Sequence, residues 1–178
     1  NLPGSAQDYF NKALRASVEE YDRLARSNKI PYYGTTYNYD PNEKPIDLVA
    51  GEIDEMMSYK DYQLTGNKAS DLEKVYIQQI LHFLMSPIDA YSTARRSGVP
   101  KIGSSIFPRM DYSANGYPVT NIPRRVALNA PNPTDLMYDN LIEAYKEQGL
   151  SVGSGDILNS ERIWQDTNAP QWGAGPIL

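Results

Sequence analysis

The stretch Ser70-Asp71-Leu72-Glu73-Lys74-Val75-Tyr76-Ile77-Gln78-Gln79-Ile80-Leu81-His82-Phe83-Leu84-Met85-Ser86-Pro87-Ile88-Asp89-Ala90-Tyr91-Ser92-Thr93-Ala94-Arg95-Arg96-Ser97-Gly98-Val99-Pro100 decides the fold class. In its first half Leu72, Val75, Tyr76, Ile80, Phe83 and Leu84 recur at helical spacing, and Ile77, Leu81 and Met85 widen that face. Only Asp71, Lys74, Gln78 and His82 make a polar stripe, which predicts a central buried helix over 71–85. Ser70 and Glu73 have capping-box spacing: the serine hydroxyl accepts from the third helical N–H and the glutamate reaches back. Ser86-Pro87-Ile88-Asp89 then opens a second helix over 87–97, with serine as N-cap, proline at the first helical position and an acid in the first turn. Arg95 and Arg96 give it a basic last turn, Gly98 ends it, and Pro100 forbids continuation. A helix pair this well punctuated places the chain in the mainly α class.

The remaining segments agree. Residues 7–27 form an amphipathic helix through Phe10, Ala13, Leu14, Ser17, Val18, Tyr21, Leu24 and Ala25, with Glu19–Arg23 and Asp22–Arg26 as i,i+4 pairs. A shorter helix over 46–57 carries Ile46, Val49, Ala50, Ile53, Met56 and Met57, and a last one over 133–148 carries Leu136, Met137, Asn140, Leu141, Ala144 and Tyr145 on one face. Proline, glycine and Asx residues mark long loops at 31–45, 101–131 and 150–178, with short extended pieces expected at 101–107 and 125–128.

Composition narrows the functional classes. No cysteine means no disulfide framework and no thiolate zinc site, and a single histidine leaves no imidazole cluster. A net charge of -5 and a pI near 4.9 argue against a nucleic-acid partner. No apolar run reaches the roughly 18 residues of a transmembrane helix. The chain opens at Asn1 without a methionine, as a processed chain or an excerpt would. Leu, Ile, Val and Phe supply 37 of 178 residues, a thin stock of core builders that 14 tyrosines offset. That stock looks thin for a self-sufficient core.

Candidates for chemistry are few. His82 has no neighbouring nucleophile or metal-ligand spacing and reads as an ordinary hydrogen-bonded or surface residue. Glu52, Asp54 and Glu55 fall opposite the apolar residues of their helix, as a solvated face does, and Asp40-Pro41-Asn42-Glu43 lacks EF-hand spacing. Gly153-Ser154-Gly155-Asp156 lacks the Lys-Ser/Thr ending of a phosphate loop and reads as a turn. Arg95-Arg96 and Arg124-Arg125 suit either an anion or, more simply, loop carboxylates and helix-end carbonyls. No catalytic residue, metal site or cofactor is expected. The unusual feature is the loop with Tyr32, Tyr33, Tyr37 and Tyr39 beside Asn38, Asp40 and Asn42. Aromatic rings cover the apolar face of a sugar while hydroxyls and amides join its polar rim, so these tyrosines are the candidate ligand-binding residues. Packing of the same rings onto the helices is the competing reading; for Tyr76, Tyr91 and Tyr145 burial is expected.

Residues 77–91, followed by Arg95-Arg96-Ser97-Gly98-Val99-Pro100, resemble the SusD/RagB family, whose members show Arg-Arg-x-Gly-x-Pro after such a helix. Pro123-Arg124-Arg125 looks like that family's Pro-Arg-Arg segment. Arg162-Ile163-Trp164-Gln165-Asp166 looks like its late Arg-x-Trp-Trp-Asp, with Gln165 departing from the second tryptophan. The motifs occur in the family's order and spacing, and the opening helix resembles the one preceding this region in the SusD-like subgroup. The resemblance spans nearly all of this chain but only the C-terminal part of the family. It implies a SusD-like helical domain with long irregular loops and few short strands, whose missing N-terminal part holds the signal peptide, the lipid anchor and TPR-like helical pairs. It further implies a non-catalytic surface lipoprotein of Bacteroidetes outer membranes that binds an oligosaccharide, polysaccharide or peptide and delivers it to a SusC-like TonB-dependent transporter. The arginine and Trp164 motifs are expected to be structural, Arg95-Arg96 capping carbonyls and Trp164 pinning the tail. A helical interaction scaffold without a small-molecule site is the alternative, and a glycoside hydrolase fragment the more distant one.

Overall fold

The computed structural model describes residues 3–27, 33–34, 47–107, 112–114, 117–119, 124–153 and 157–177. Among them the protein is mainly helical. In chain order come α1 (Ala6–Ser27), α2 (Glu52–Ser58), α3 (Lys68–His82), α4 (Pro87–Ser97), a hairpin of β1 (Tyr112–Ala114) and β2 (Tyr117–Val119), α5 (Tyr138–Glu147) and the single turn α6 (Ile157–Ser160). The hairpin is antiparallel, with Tyr112 opposite Val119 and Ala114 opposite Tyr117. The chain divides into two compact units, Asn1–Gln78 and Gln79–Leu178.

In the first unit, the apolar stripe of α1 buries Phe10, Leu14 and Ala25, while Ala13 and Leu24 at its margins stay exposed. Ile53 of α2 and Ile77 of α3 complete the buried apolar set. Gln7 fastens α1 to the 62–64 segment from both ends of its amide: Nε2 donates to the Tyr62 carbonyl at 3.0 Å and Oε1 accepts from the Leu64 N–H at 2.6 Å. Of the two expected ion pairs, Asp22–Arg26 forms at 2.9 Å, whereas Arg23 turns to Glu20 at 2.6 Å and Glu19 lies 3.8 Å from Arg15. Both alternatives are also helical neighbours, so spacing alone does not choose between them.

α2 is shorter than the 46–57 expected, because Gly51 sits at its N-cap with φ 92°, a left-handed conformation that breaks any helix arriving from upstream. Ile46 lies outside the described residues. α3 starts at Lys68 rather than after Ser70. Asn67 takes the cap, its Oδ1 accepting from the Ser70 N–H at 3.1 Å, so the serine lies inside the first turn and the capping box does not form. The freed Asp71 carboxylate folds back onto the Thr65 and Gly66 amides, 2.8 Å from each.

The burial of α3 also departs from the expected pattern. Lys74, assigned to the polar stripe, is buried, its ammonium donating to the Gln63 carbonyl at 2.6 Å and to Lys60 at 3.3 Å. Val75 and Leu81 are exposed, as are Leu84 and Met85 in the 3-10 turn that follows the helix. α3 is therefore not buried around its circumference. A lysine can reverse the pattern because backbone carbonyls at the end of its long stem satisfy the charge.

In the second unit α4 runs over the expected residues, with Pro87 at its first position and Gly98 closing it at φ 70°; the Gly98 N–H donates to the Ala94 carbonyl. The Ser86 hydroxyl donates to Asp89 at 2.5 Å instead of accepting from the backbone. The last chain segment returns to this corner: the amides of Gly173 and Gly175 both donate to the Gly98 carbonyl, at 3.0 and 3.1 Å. α5 begins later than 133, because Asn132 and Asp135 form consecutive side-chain turns, accepting from the amides of Thr134 at 3.1 Å and Met137 at 3.0 Å. No residue of α5 is buried, and Leu136 is fully in solvent. The extended pieces expected at 101–107 and 125–128 reduce to one bridge between Leu128 and Gly153. None of Tyr76, Tyr91 and Tyr145 is buried; Tyr91 lies beneath the Arg95 guanidinium, 5.5 Å from its ring centre.

Candidate functional site

Of the four candidate tyrosines only Tyr33 falls among the described residues; Tyr32, Tyr37 and Tyr39 lie outside them, as do Asn38, Asp40 and Asn42. Tyr33 sits against the last turns of α1. Its hydroxyl donates to Asp22 Oδ1 at 2.5 Å, and the Arg26 guanidinium lies 5.4 Å from its ring centre. Arg26 also bonds Asp22 at 2.9 Å and reaches Asp47 at 3.5 Å, so one guanidinium ties residues 33 and 47, near the two ends of the tyrosine loop, to the same helix. The Arg26 and Tyr33 hydrogen bonds hold the Asp22 carboxyl below its ordinary range, and the bond to Asp22 holds the Tyr33 phenol above its own. The hydroxyl expected on a sugar's polar rim is thus engaged by Asp22; what Tyr33 can still offer a ligand is ring surface.

The arginine motifs of the second unit converge on one buried cluster. Arg124, 1% exposed, donates through Nη1 to both Asp166 oxygens, at 3.0 and 3.2 Å, and to the Arg95 carbonyl at 3.0 Å. Its Nη2 donates to the Pro170 carbonyl. Arg95 answers with Nη1 to the Arg124 carbonyl at 3.3 Å, while its buried Nε, 3.9 Å from Asp166, makes no hydrogen bond. The end of α4 is therefore capped by an arginine 29 residues away, and Arg95 caps no carbonyl of its own helix. Arg125 holds Glu161 at 2.5 Å and the Ser151 carbonyl at 2.6 Å. Hydrogen bonds from Ser151 first, and then Arg125, bring the Glu161 carboxyl from 4.5 down to about 2. Arg162 donates to the carbonyls of Asp166 and Ala169, at 2.8 and 2.6 Å. Arg124 and Arg125 are thus spent on carboxylates and carbonyls, and an anion has no claim on them.

Trp164 is the exception in this region. Expected to pin the tail, it is 80% exposed. The pinning is done by its neighbours Arg162 and Asp166 and by the glycine amides on Gly98. Asp166 stands in the late motif, yet its partner in Arg124 is a tertiary fact, and Glu161 carries no sequence signal at all.

The three clustered carboxylates of α2 each have a partner within the first unit. Glu52 accepts from the Val49 amide at 2.8 Å, Asp54 pairs with Arg15, and Glu55 accepts from the Tyr59 hydroxyl at 3.0 Å. His82 is half-buried, its ring 5.4 Å from that of Phe83. Among the described residues no cluster of three or more His, Asp or Glu is arranged to hold a metal ion, and no helix is long and apolar enough to cross a membrane. No protein-family model, curated protein or solved structure matches the chain.

Proposed function

We propose that this chain is the C-terminal portion of a SusD-like nutrient-binding protein, a non-catalytic surface lipoprotein that captures a glycan at the outer membrane and passes it to a SusC-like TonB-dependent transporter. The observation that carries the reading is convergence. The Arg-Arg-x-Gly-x-Pro, Pro-Arg-Arg and Arg-x-Trp segments, on which the resemblance rests, meet in one buried cluster through Arg95, Arg124 and Asp166. That the three segments touch supports the resemblance, since residues of one shared structural solution are expected to meet. In this reading binding uses aromatic faces and amide rims, and no bond in the ligand is made or broken.

The test is affinity electrophoresis of the protein through gels holding a panel of polysaccharides, with peptides tried in solution. Retardation by at least one polysaccharide is expected; none by any sinks the glycan reading. Replacing Tyr32, Tyr33, Tyr37 and Tyr39 together with alanine then separates the two roles of the loop. Lost retardation at an unchanged melting temperature marks a platform, and a lower melting temperature alone marks packing. A second reading, a helical protein-interaction scaffold, is favoured by the apolar side chains of Leu84, Met85 and Ile88, which lie in solvent around the α3–α4 corner.

A further inference from the structure

We propose that Trp164 is a stacking platform for a neutral sugar ring, a contact separate from the tyrosine loop. The inference rests on the glycan-binding reading. Three observations converge on it. The first is exposure: an indole of the largest side-chain area stands 80% in water, although the chain is short of core builders and could have used it for packing.

The second is rigidity. Trp164 opens a 3-10 turn, 164–166, whose backbone is braced from several directions. The Asp166 N–H donates to the Ile163 carbonyl at 2.9 Å, the Thr167 hydroxyl to the Trp164 carbonyl at 2.7 Å, and Arg162 to the carbonyls of Asp166 and Ala169. Beneath the turn, Asp166 is locked to buried Arg124. An exposed aromatic on a fixed backbone loses little further freedom when a ligand arrives, so more of its contact energy appears as affinity.

The third is the chemistry of the rim. Gln165, Thr167 and Asn168 are exposed on the same turn, whereas the charges of Arg162 and Asp166 are directed to partners within the protein. What faces outward is an apolar ring flanked by two neutral amides and a hydroxyl. Amides donate to and accept from sugar hydroxyls, and the indole covers the C–H face of the ring; residues 164–168 themselves turn no charge outward.

Fluorescence reads this directly, because Trp164 and Trp172 are the two tryptophans of the chain. With Trp172→Phe, Trp164 is the sole indole. Soluble starch, mixed-linkage β-glucan, xyloglucan and galactomannan serve as probes. The expected result is that whichever polysaccharide retards the protein also shifts Trp164 emission to the blue and protects it from acrylamide. Trp164→Ala should weaken that retardation about tenfold, the scale of losing one stacked aromatic, with an unchanged melting temperature. Trp164→Phe should keep most of the affinity. Retardation that survives Trp164→Ala, with Trp164 unshielded, overturns the platform and leaves the glycan reading standing. A wild-type protein retarded by none of the probes overturns both. Shielding of Trp164 by a protein partner and by no glycan also overturns the proposal, since the turn is then a protein contact.

Discussion

The ion pairs of the two units are built from the same residue types and do opposite work. In residues 1–78, Arg23–Glu20, Arg26–Asp22 and Arg15–Asp54 lie along or beside α1, each with at least one partner exposed to water. In residues 79–178, Arg124 and Asp166 are both 1% exposed, and Arg125 is buried against half-buried Glu161. The buried apolar residues differ in parallel. Among the described residues the first unit has Phe10, Leu14, Ala25, Ile53 and Ile77 beside Glu73 and Lys74; the second has Ala94 and Val99 beside Thr93, Ser97, Arg124, Arg125 and Asp166. In the first unit the ion pairs decorate an element that packing has already placed, and the one buried cation described there, Lys74, is held by carbonyls. In the second, charge pairs and the carbonyls around them decide which segments meet. The difference is not one of supply, since Leu, Ile, Val and Phe make up 14 of the first 78 residues and 23 of the last 100; many of the second unit's, such as Leu84, Ile88, Val126 and Leu136, lie in water.

The comparison is most exposed to Arg124→Ala. Removing one partner leaves the Asp166 carboxylate buried without its pair, which costs about 3–5 kcal/mol. The same deletion at Arg23 removes a solvated pair and should barely move the unfolding midpoint. Urea unfolding followed by circular dichroism measures both. Equal costs would mean that the buried cluster holds nothing together, and the contrast between the units would collapse.

Glycine substitutions sharpen it further. Gly98 and Gly66 share a left-handed backbone, φ 70° and 83°, but a Cβ on Gly66 meets open space, whereas one on Gly98 comes within 2.8 Å of the Gly175 carbonyl and 2.9 Å of the Gln171 carbonyl. Gly66→Ala should cost only the conformational strain, about 1–2 kcal/mol. Gly98→Ala adds two backbone clashes to that strain, so its melting temperature should fall clearly further. A matching fall for both would show that the returning tail gives way easily and that its docking on Gly98 contributes little.

These residues also show what was legible beforehand. The ends of α4 are legible because Pro87 and Gly98 act on their own neighbours in the chain, and α1 is legible because its apolar period runs over many turns. The start of α3 is not legible, because Asn67 and Ser70 are both good caps and spacing does not rank them. Lys74 looked solvated because nothing local tells that two carbonyls from residues 60 and 63 wait at the end of its stem. The candidate site divides in the same way. Tyr33 was singled out by composition, but its engagement with Asp22 and Arg26 depends on how the loop returns to α1. Trp164 was expected to pack, since size and apolarity say burial; that its neighbour Asp166 took the inward position instead is a tertiary outcome.

The smallest expected effect lies in acid and falls on Glu161. Its folded pKa of about 2 lies below the ordinary 4.5, so the carboxylate's interactions stabilise the fold fully above pH 4.5 and are lost as pH falls toward 2. Ser151 donates its amide to this carboxylate at 2.9 Å and Arg125 its guanidinium at 2.5 Å, so protonation releases both donors together. In Glu161→Gln the amide cannot titrate. The variant should therefore begin less stable than wild type at pH 6, lose less on acidification, and approach it near pH 2. Urea midpoints taken between pH 6 and 2.5 measure the two slopes. Parallel curves would mean that Glu161 is as free as the exposed carboxylates of α1, and that the boundary between solvated and structural ion pairs runs inside the second unit, between Arg124 and Arg125.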